Sequence, residues 1–135
     1  GVESAEAVRG LVDRLHPSAV IAVDALASRR TERVCAALQL SDSGIVPGSG
    51  VGNHRAALNR DTLGVPVIAV GVPTVVDAIS LFRQAELELD VPRGVLVTMQ
   101  DVDTRVREMG RLVGYSCDLA LHRGLSLGEI PAFLS

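Results

Sequence analysis

Two short apolar runs that bracket a glycine-rich segment constrain the fold of this chain most. Residues 19–23 are small or β-branched, and the run is long enough for a buried strand but too short for a helix. Residues 66–70 repeat the pattern. Nearly continuous apolar strands are typical of parallel sheets that helices cover. We therefore predict a single α/β domain over residues 1–135, three-layered, with a mainly parallel sheet and helices on both faces.

The first apolar run stops at Asp24, which makes this acid the leading candidate for chemistry. We expect Asp24 at the carboxyl end of a central strand, beside the glycine-rich segment, because open α/β sheets bind their ligands at such strand ends. Two carboxylates that share a proton can hold and activate a water for attack on a peptide carbonyl. The alternative is an acid that accepts a hydrogen bond from a loop amide.

Asp42 is the candidate partner for Asp24 within the chain. It follows a predicted second strand at residues 35–40, and the ends of neighbouring strands can lie side by side. Asp-Ser-Gly is also a common turn sequence, in which the aspartate accepts a bond from the local backbone. Both interpretations stay open from the residues alone.

A glycine-rich segment connects the two strands and offers unpaired backbone N–H groups. It contains the candidate substrate-binding residues Gly48, Ser49, Gly50, Gly52, Asn53 and His54. Such a loop can bind a substrate backbone or stabilise an oxyanion, or it is a structured surface loop. Its glycine spacing differs from that of a dinucleotide-binding loop. We predict no cofactor and no metal, although Asp24, His54 and another acid would make an alternative metal site.

The bulk composition narrows the class of partner. The net charge of −3 offers no basic face, so we expect no direct contact with nucleic acid. No segment is long and apolar enough for a membrane span, and two isolated cysteines favour a reducing compartment. Helical periodicity predicts helices near residues 4–15, 74–87 and 98–122, with Thr74 and Thr98 as amino-terminal caps.

Four segments of the chain resemble the germination protease (spore protease) family. They are VDALA at residues 23–27, QLSDSG at 39–44, PGSGVGN at 47–53 and IAVGVPTVVDA at 68–78. The resemblance implies an atypical aspartic-type endopeptidase that degrades small acid-soluble spore proteins in the cytoplasm of the spore core. It also implies a fold related to that of hydrogenase-maturation peptidases, and it matches Asp24 to one of two catalytic aspartates.

The second aspartate of the family lies upstream, and no residue here matches it. The resemblance therefore implies that the chain is the carboxyl-terminal part of a longer peptidase and is catalytically incomplete by itself. It further implies a homo-oligomer or a bound amino-terminal portion. Two alternatives remain from the sequence: a non-catalytic binding or assembly domain on the same scaffold, and a metal-dependent maturation-type peptidase.

Overall fold

The computed structural model describes residues 2–47, 56–126 and 128–129. Residues 1–99 and 100–135 form two compact units, and each is described by itself. The first unit contains α1 (Val2–Leu15), β1 (Val20–Ser28), β2 (Gln39–Ser41), α2 (Arg60–Leu63), β3 (Val67–Asp77), α3 (Ala78–Gln84) and β4 (Leu96–Val97), with one turn of 3₁₀ helix at Thr31–Arg33. The second unit contains α4 (Val102–Leu121).

The sheet is organised around β3, whose eleven residues pair with every other strand that the structure describes. Strand β1 lies parallel to β3, whereas β2 and β4 are antiparallel to it. The α/β class is confirmed. The described sheet is mixed, with one parallel and two antiparallel strand pairs, so the predicted three-layer, mainly parallel arrangement is not confirmed. The two short strands return against β3, and antiparallel pairs of this kind need no long crossover connection.

Helix α1 covers one face of the sheet near the start of the strands. Residues that pair directly in neighbouring strands point to the same face, and here Val20 of β1 pairs with Val67 of β3. The buried members of this core are Ala5, Val12, Leu58, Leu63 and Val67, with Val8, Val20, Ala22, Ile45 and Val65 packed against them. This apolar cluster ends before Asp24, so the later part of the same face is left to the candidate site.

The opposite face of the sheet exposes a group of aliphatic side chains, which we call the open face. Its members and exposed fractions are Ile21 37%, Val23 54%, Ile68 46% and Leu40 71%. Ile21 pairs with Ile68, and both Val23 and Leu40 pair with Val70, so the register places them on one side. Exposed aliphatic patches of this kind are typical of interaction surfaces.

The long strands run further than the apolar runs predict. Strand β1 continues to Ser28, and β3 continues past Thr74 to Asp77, so α3 begins at Ala78. Ala27 and Ser28 pair with Val75 and Val76, whose β-branched side chains favour an extended backbone. Asp77 caps α3 by accepting a bond from the Ser80 amide at 3.0 Å, which corrects the prediction of Thr74 as the cap.

Helix α4 begins four residues later than predicted, at Val102. The Thr98 hydroxyl does not cap it and instead donates to the Thr74 carbonyl at 2.6 Å. Asp101 occupies the cap position, and its carboxylate accepts bonds from Arg105 Nε at 2.8 and 2.9 Å. In the part of the chain that the structure describes, no helix is long and apolar enough to cross a bilayer.

Candidate functional site

Asp24 lies in the middle of β1, as the fifth of its nine residues. The prediction that it ends a central strand is wrong on both points, since β3 is the central strand and β1 is at the edge of the described sheet. The side chain is half-buried, and its Oδ1 accepts a bond from the Ala25 amide at 2.9 Å. It belongs to the face that α1 covers, just beyond the end of the apolar cluster.

Asp24 and Gln39 flank Gly71 in one row across the sheet. Gly71 pairs with Asp24 on one side and with Gln39 on the other, so both polar side chains rise from the same face. With strands about 4.8 Å apart, their Cα atoms are separated by about 10 Å. The residue between them carries no side chain, and Leu26 of β1 occupies the space above it.

Leu26 explains why the central residue of this row is glycine. A Cβ atom built at Gly71 would overlap Leu26 Cδ1. The neighbouring row has the same character, because Ala69 lies between Ala22 and Ser41. The centre of the sheet therefore carries small residues in both rows, beside Asp24 and Gln39 in one row and beside Ser41 in the other.

The glycine-rich loop is anchored beside this face. Ile45 and Leu58 form an antiparallel bridge with N–O distances of 2.9 and 2.7 Å, so the two ends of the loop meet. Gly44 has φ +87°, and a Cβ atom there would collide with the Leu58 carbonyl. Asn59 then starts α2 with a reciprocal capping box to Thr62. The loop base is thus fixed to the core that α1 forms.

The predicted substrate-binding residues of that loop lie outside the described residues. This holds for Gly48, Ser49, Gly50, Gly52, Asn53 and His54. The base of the loop lies on the Asp24 face, because Gly44, Ile45 and Val46 line a pocket together with Gly71. Their role as substrate-binding residues stays a prediction.

The structure does not bring Asp42 to Asp24. Asp42 is exposed and directly follows β2, and β3 separates that strand from β1. Ser41, the residue before Asp42, pairs with Ala69, whereas Asp24 pairs with Gly71. Asp42 is therefore offset from Asp24 by about 10 Å across the sheet and about 10 Å along it, too far for the two carboxylates to share a proton directly. Ser41 Oγ accepts a bond from the Ser43 amide at 3.1 Å, which closes a turn around Asp42.

Sequence reasoning missed Leu26, Gln39 and Gly71 as parts of this site. One signal was available, because a glycine inside an apolar strand indicates a close approach of another group. It also missed Asp77, the acid that does end the central strand. The Ser80 hydroxyl donates to Asp77 Oδ2 at 2.9 Å, and this bond, followed by that from the Ser80 amide, lowers the pKa of Asp77. Asp77 is therefore a helix cap.

Among the residues that the structure describes, no three His, Cys, Asp or Glu side chains are grouped as a metal site would require. The alternative metal site includes His54, which lies outside the described residues. Of the two residues named for this alternative metal site, only Asp24 lies among the described residues.

The sequence model of a family described as germination protease matches residues 1–90. A germination protease of Bacillus licheniformis is 60% identical over 81 residues, which are 60% of this chain and 22% of that protein. One of Caldanaerobacter subterraneus is 58% identical over 81 residues, 60% of this chain and 25% of that protein. One of Clostridium perfringens is 52% identical along the whole chain, which covers 52% of that protein.

The chain spans about half the length of the relative that it matches from end to end. That alignment has 170 positions, 35 more than the 135 residues of the chain. The match to the family sequence model covers the first two thirds of the chain, residues 1–90. This part contains Asp24, Gly71 and the loop base.

Proposed function

The chain belongs to the germination protease family, and from this premise we propose that it is the carboxyl-terminal part of an aspartic-type endopeptidase. Its substrates are small acid-soluble spore proteins, and it acts in the cytoplasm of the spore core. The observation that carries the proposal is the position of Asp24, half-buried opposite Gly71 and beyond the apolar cluster under α1.

Asp24 is proposed as one member of a catalytic carboxylate pair. A peptide carbonyl and a water must approach the carboxylate, which is half-buried and therefore partly open to solvent. Because Asp42 follows a strand that β3 separates from β1, the second carboxylate comes from elsewhere. We assign this second carboxylate to a segment of the relatives that the present sequence does not cover. The pair then activates a water as in other aspartic peptidases.

The glycine-rich loop is proposed to hold the substrate backbone next to Asp24. Its base is anchored by the Ile45–Leu58 bridge, so the loop starts and ends at a fixed place beside the Asp24 face. Backbone N–H groups of Gly48, Ser49, Gly50 and Gly52, with the side chains of Asn53 and His54, bind the substrate or stabilise the oxyanion.

Reconstitution tests this proposal. The 135-residue chain should show no cleavage of a purified acid-soluble spore protein, because it lacks the second carboxylate. Adding the separately produced amino-terminal portion of the Clostridium perfringens relative should create activity. A mixture of that portion with an equally concentrated unrelated α/β domain serves as the control. Cleavage by the isolated chain, or no cleavage by the mixture once binding of the two parts is shown, would contradict the proposal.

A second candidate function is a non-catalytic assembly domain on the same scaffold. The open face favours it, since four exposed aliphatic side chains lie on one side of the sheet. We propose that this face binds a second copy of the chain or the amino-terminal portion. If the chain is an assembly domain, it should bind the amino-terminal portion in the reconstituted mixture, but the mixture should cleave no substrate.

A further inference from the structure

Strand β2 lies at one edge of the described sheet and lacks the features that usually protect an edge. The strand order is β1, β3, β2, so β2 has β3 on one side and no described strand on the other. Charged residues and proline normally prevent such an edge from pairing with another chain, and Gln39, Leu40 and Ser41 are neither. Leu40, in the middle of the strand, is 71% exposed. The outer edge of β2 can therefore accept another strand.

Charges of opposite sign lie at the two ends of this edge. Asp42 directly follows β2 and is exposed. Arg33 is also exposed, and together with Leu38 and Leu40 it lines a pocket of about 420 Å³ beside the start of β2. Neither Arg33 nor Asp42 forms an ion pair within the part of the chain that the structure describes. The edge thus presents a cation at its start and an anion at its end.

The segment that carries Arg33 is held in place against β3. Val34, the next residue, is buried, and the Cys35 amide donates to the Pro73 carbonyl of β3 at 2.7 Å. A partner that binds Arg33 therefore needs to order only the arginine side chain and not the backbone, which lowers the entropic cost of binding.

A second copy of the chain complements both charges at once. If two β2 strands pair antiparallel about a two-fold axis at Leu40, the two Leu40 residues lie opposite each other. Leu38 of one copy then lies opposite Asp42 of the other. Because Arg33 lines the same pocket as Leu38, each Asp42 carboxylate approaches the other copy's Arg33. The two contacts are equivalent, as the symmetry of a two-fold interface requires.

The strand order favours a second copy over the amino-terminal portion at this edge. Asp24 lies on β1, and β3 separates β1 from β2. According to the proposed function, the amino-terminal portion brings a second carboxylate to Asp24, so it must reach the β1 side of the sheet. The edge of β2 then stays available.

We propose that two copies of the chain pair through the outer edges of β2, with an Arg33–Asp42 ion pair at each end. The two sheets become continuous, and Leu40 of each copy contacts Leu40 of the other on the open face. This inference rests on the proposed function only where it excludes the amino-terminal portion as the occupant of the edge.

Charge reversal in the full 135-residue chain tests the interface, with sedimentation velocity over the micromolar range as the readout. The wild type should dimerise. Arg33→Asp or Asp42→Arg alone should weaken the dimer at least about fivefold, because each reversal places two like-charge pairs in the interface. An equal mixture of the two variants should form a dimer about as tight as the wild type, since every contact in the mixed dimer again joins opposite charges.

Control variants separate this local effect from a change in net charge. Arg14 and Asp13 are exposed on α1, and Arg14→Asp and Asp13→Arg change the net charge by the same amounts. Both should dimerise like the wild type. A monomeric wild type, a dimer insensitive to the reversals at Arg33 and Asp42, or a mixture of those two variants no tighter than each alone would overturn the inference.

The two proposals fail separately. If the reconstituted enzyme cleaves spore proteins but the charge reversals leave self-association unchanged, the β2 interface is wrong and the peptidase stands. If mixing restores the dimer but the reconstituted enzyme never cleaves, the interface stands on a protein without this activity.

Discussion

Asp24 lies directly opposite Gly71 in the parallel register of β1 and β3, and Leu26, two residues further along β1, covers the space above that glycine. Across the sheet from Asp24, the neighbouring position on β3 therefore has no side chain of its own, and the aliphatic side chain of Leu26 lies there instead. Asp24 is half-buried in the middle of the strand, next to a row position whose free space Leu26 fills.

Gly71→Ala should destabilise the first unit, because the new methyl group overlaps Leu26. Leu26 is half-buried and the end of its side chain can move, so the cost should lie at or below the lower end of the about 1–3 kcal/mol typical of overpacked cores, which urea unfolding would measure. Gly10→Ala is the matched control, since a Cβ at this exposed helical position meets nothing within 4 Å. It should stabilise the protein by about 0.5–1 kcal/mol. Leu26→Ala combined with Gly71→Ala should recover part of the loss, and strictly additive effects would contradict the contact.

Asp77 gives a pH-dependent contribution to stability. The Ser80 hydroxyl, and after it the Ser80 amide, lowers the pKa of Asp77 below its ordinary value of 3.8. The ionised form thus stabilises the folded state above pH 3.8, and this contribution is lost as the pH falls through the lowered pKa. Urea unfolding should show Asp77→Asn less stable than the wild type at pH 7, with the gap closing below pH 3.8.

Ser80→Ala is the companion variant for this pH test. It keeps the amide of residue 80 and removes the hydroxyl, which is the main cause of the lowered pKa. Its stability should depend on pH over a narrower acid range than that of the wild type. A gap between wild type and Asp77→Asn that is the same at pH 2 and pH 7 would show that the Ser80 bonds do not favour the ionised carboxylate.

The open face should mediate self-association of the isolated chain. Leu40 on this face is 71% exposed, and Leu15 on α1 is 68% exposed, which makes the two leucines a matched pair. Sedimentation velocity at micromolar concentration should show oligomers for the wild type and for Leu15→Glu, and a shift towards monomer for Leu40→Glu. A sharp monomer peak for the wild type, with a cooperative thermal transition, would show that the open face needs no partner.

The sequence predicts the apolar strands well and their ends poorly. The runs at residues 19–23 and 66–70 do form the parallel pair, because side chains buried in a sheet must be apolar. Asp24 interrupts the run without ending the strand, since pairing with Gly71 and Val72 continues the ladder through residues 24 and 25. These paired residues are far apart in the sequence, so local periodicity cannot predict that the strand continues.

The site was predictable to the same extent. The sequence predicts that the glycine-rich segment lies beside Asp24, and the structure places the base of that loop on the Asp24 face. The separation of Asp42 from Asp24 follows from the strand order, with β3 between β1 and β2. Gln39 became a candidate only when the register placed it across Gly71 from the acid.

The most direct test of the account is the effect of Asp24→Asn on kcat in the reconstituted enzyme, measured with a purified acid-soluble spore protein. The variant should lower kcat at least about 100-fold, the minimum expected for loss of a group that transfers protons in the transition state. Asp42→Asn should stay within about threefold of the wild type, and both variants should bind the amino-terminal portion normally. An Asp24→Asn enzyme that keeps wild-type kcat would contradict the assignment of Asp24 as a catalytic carboxylate.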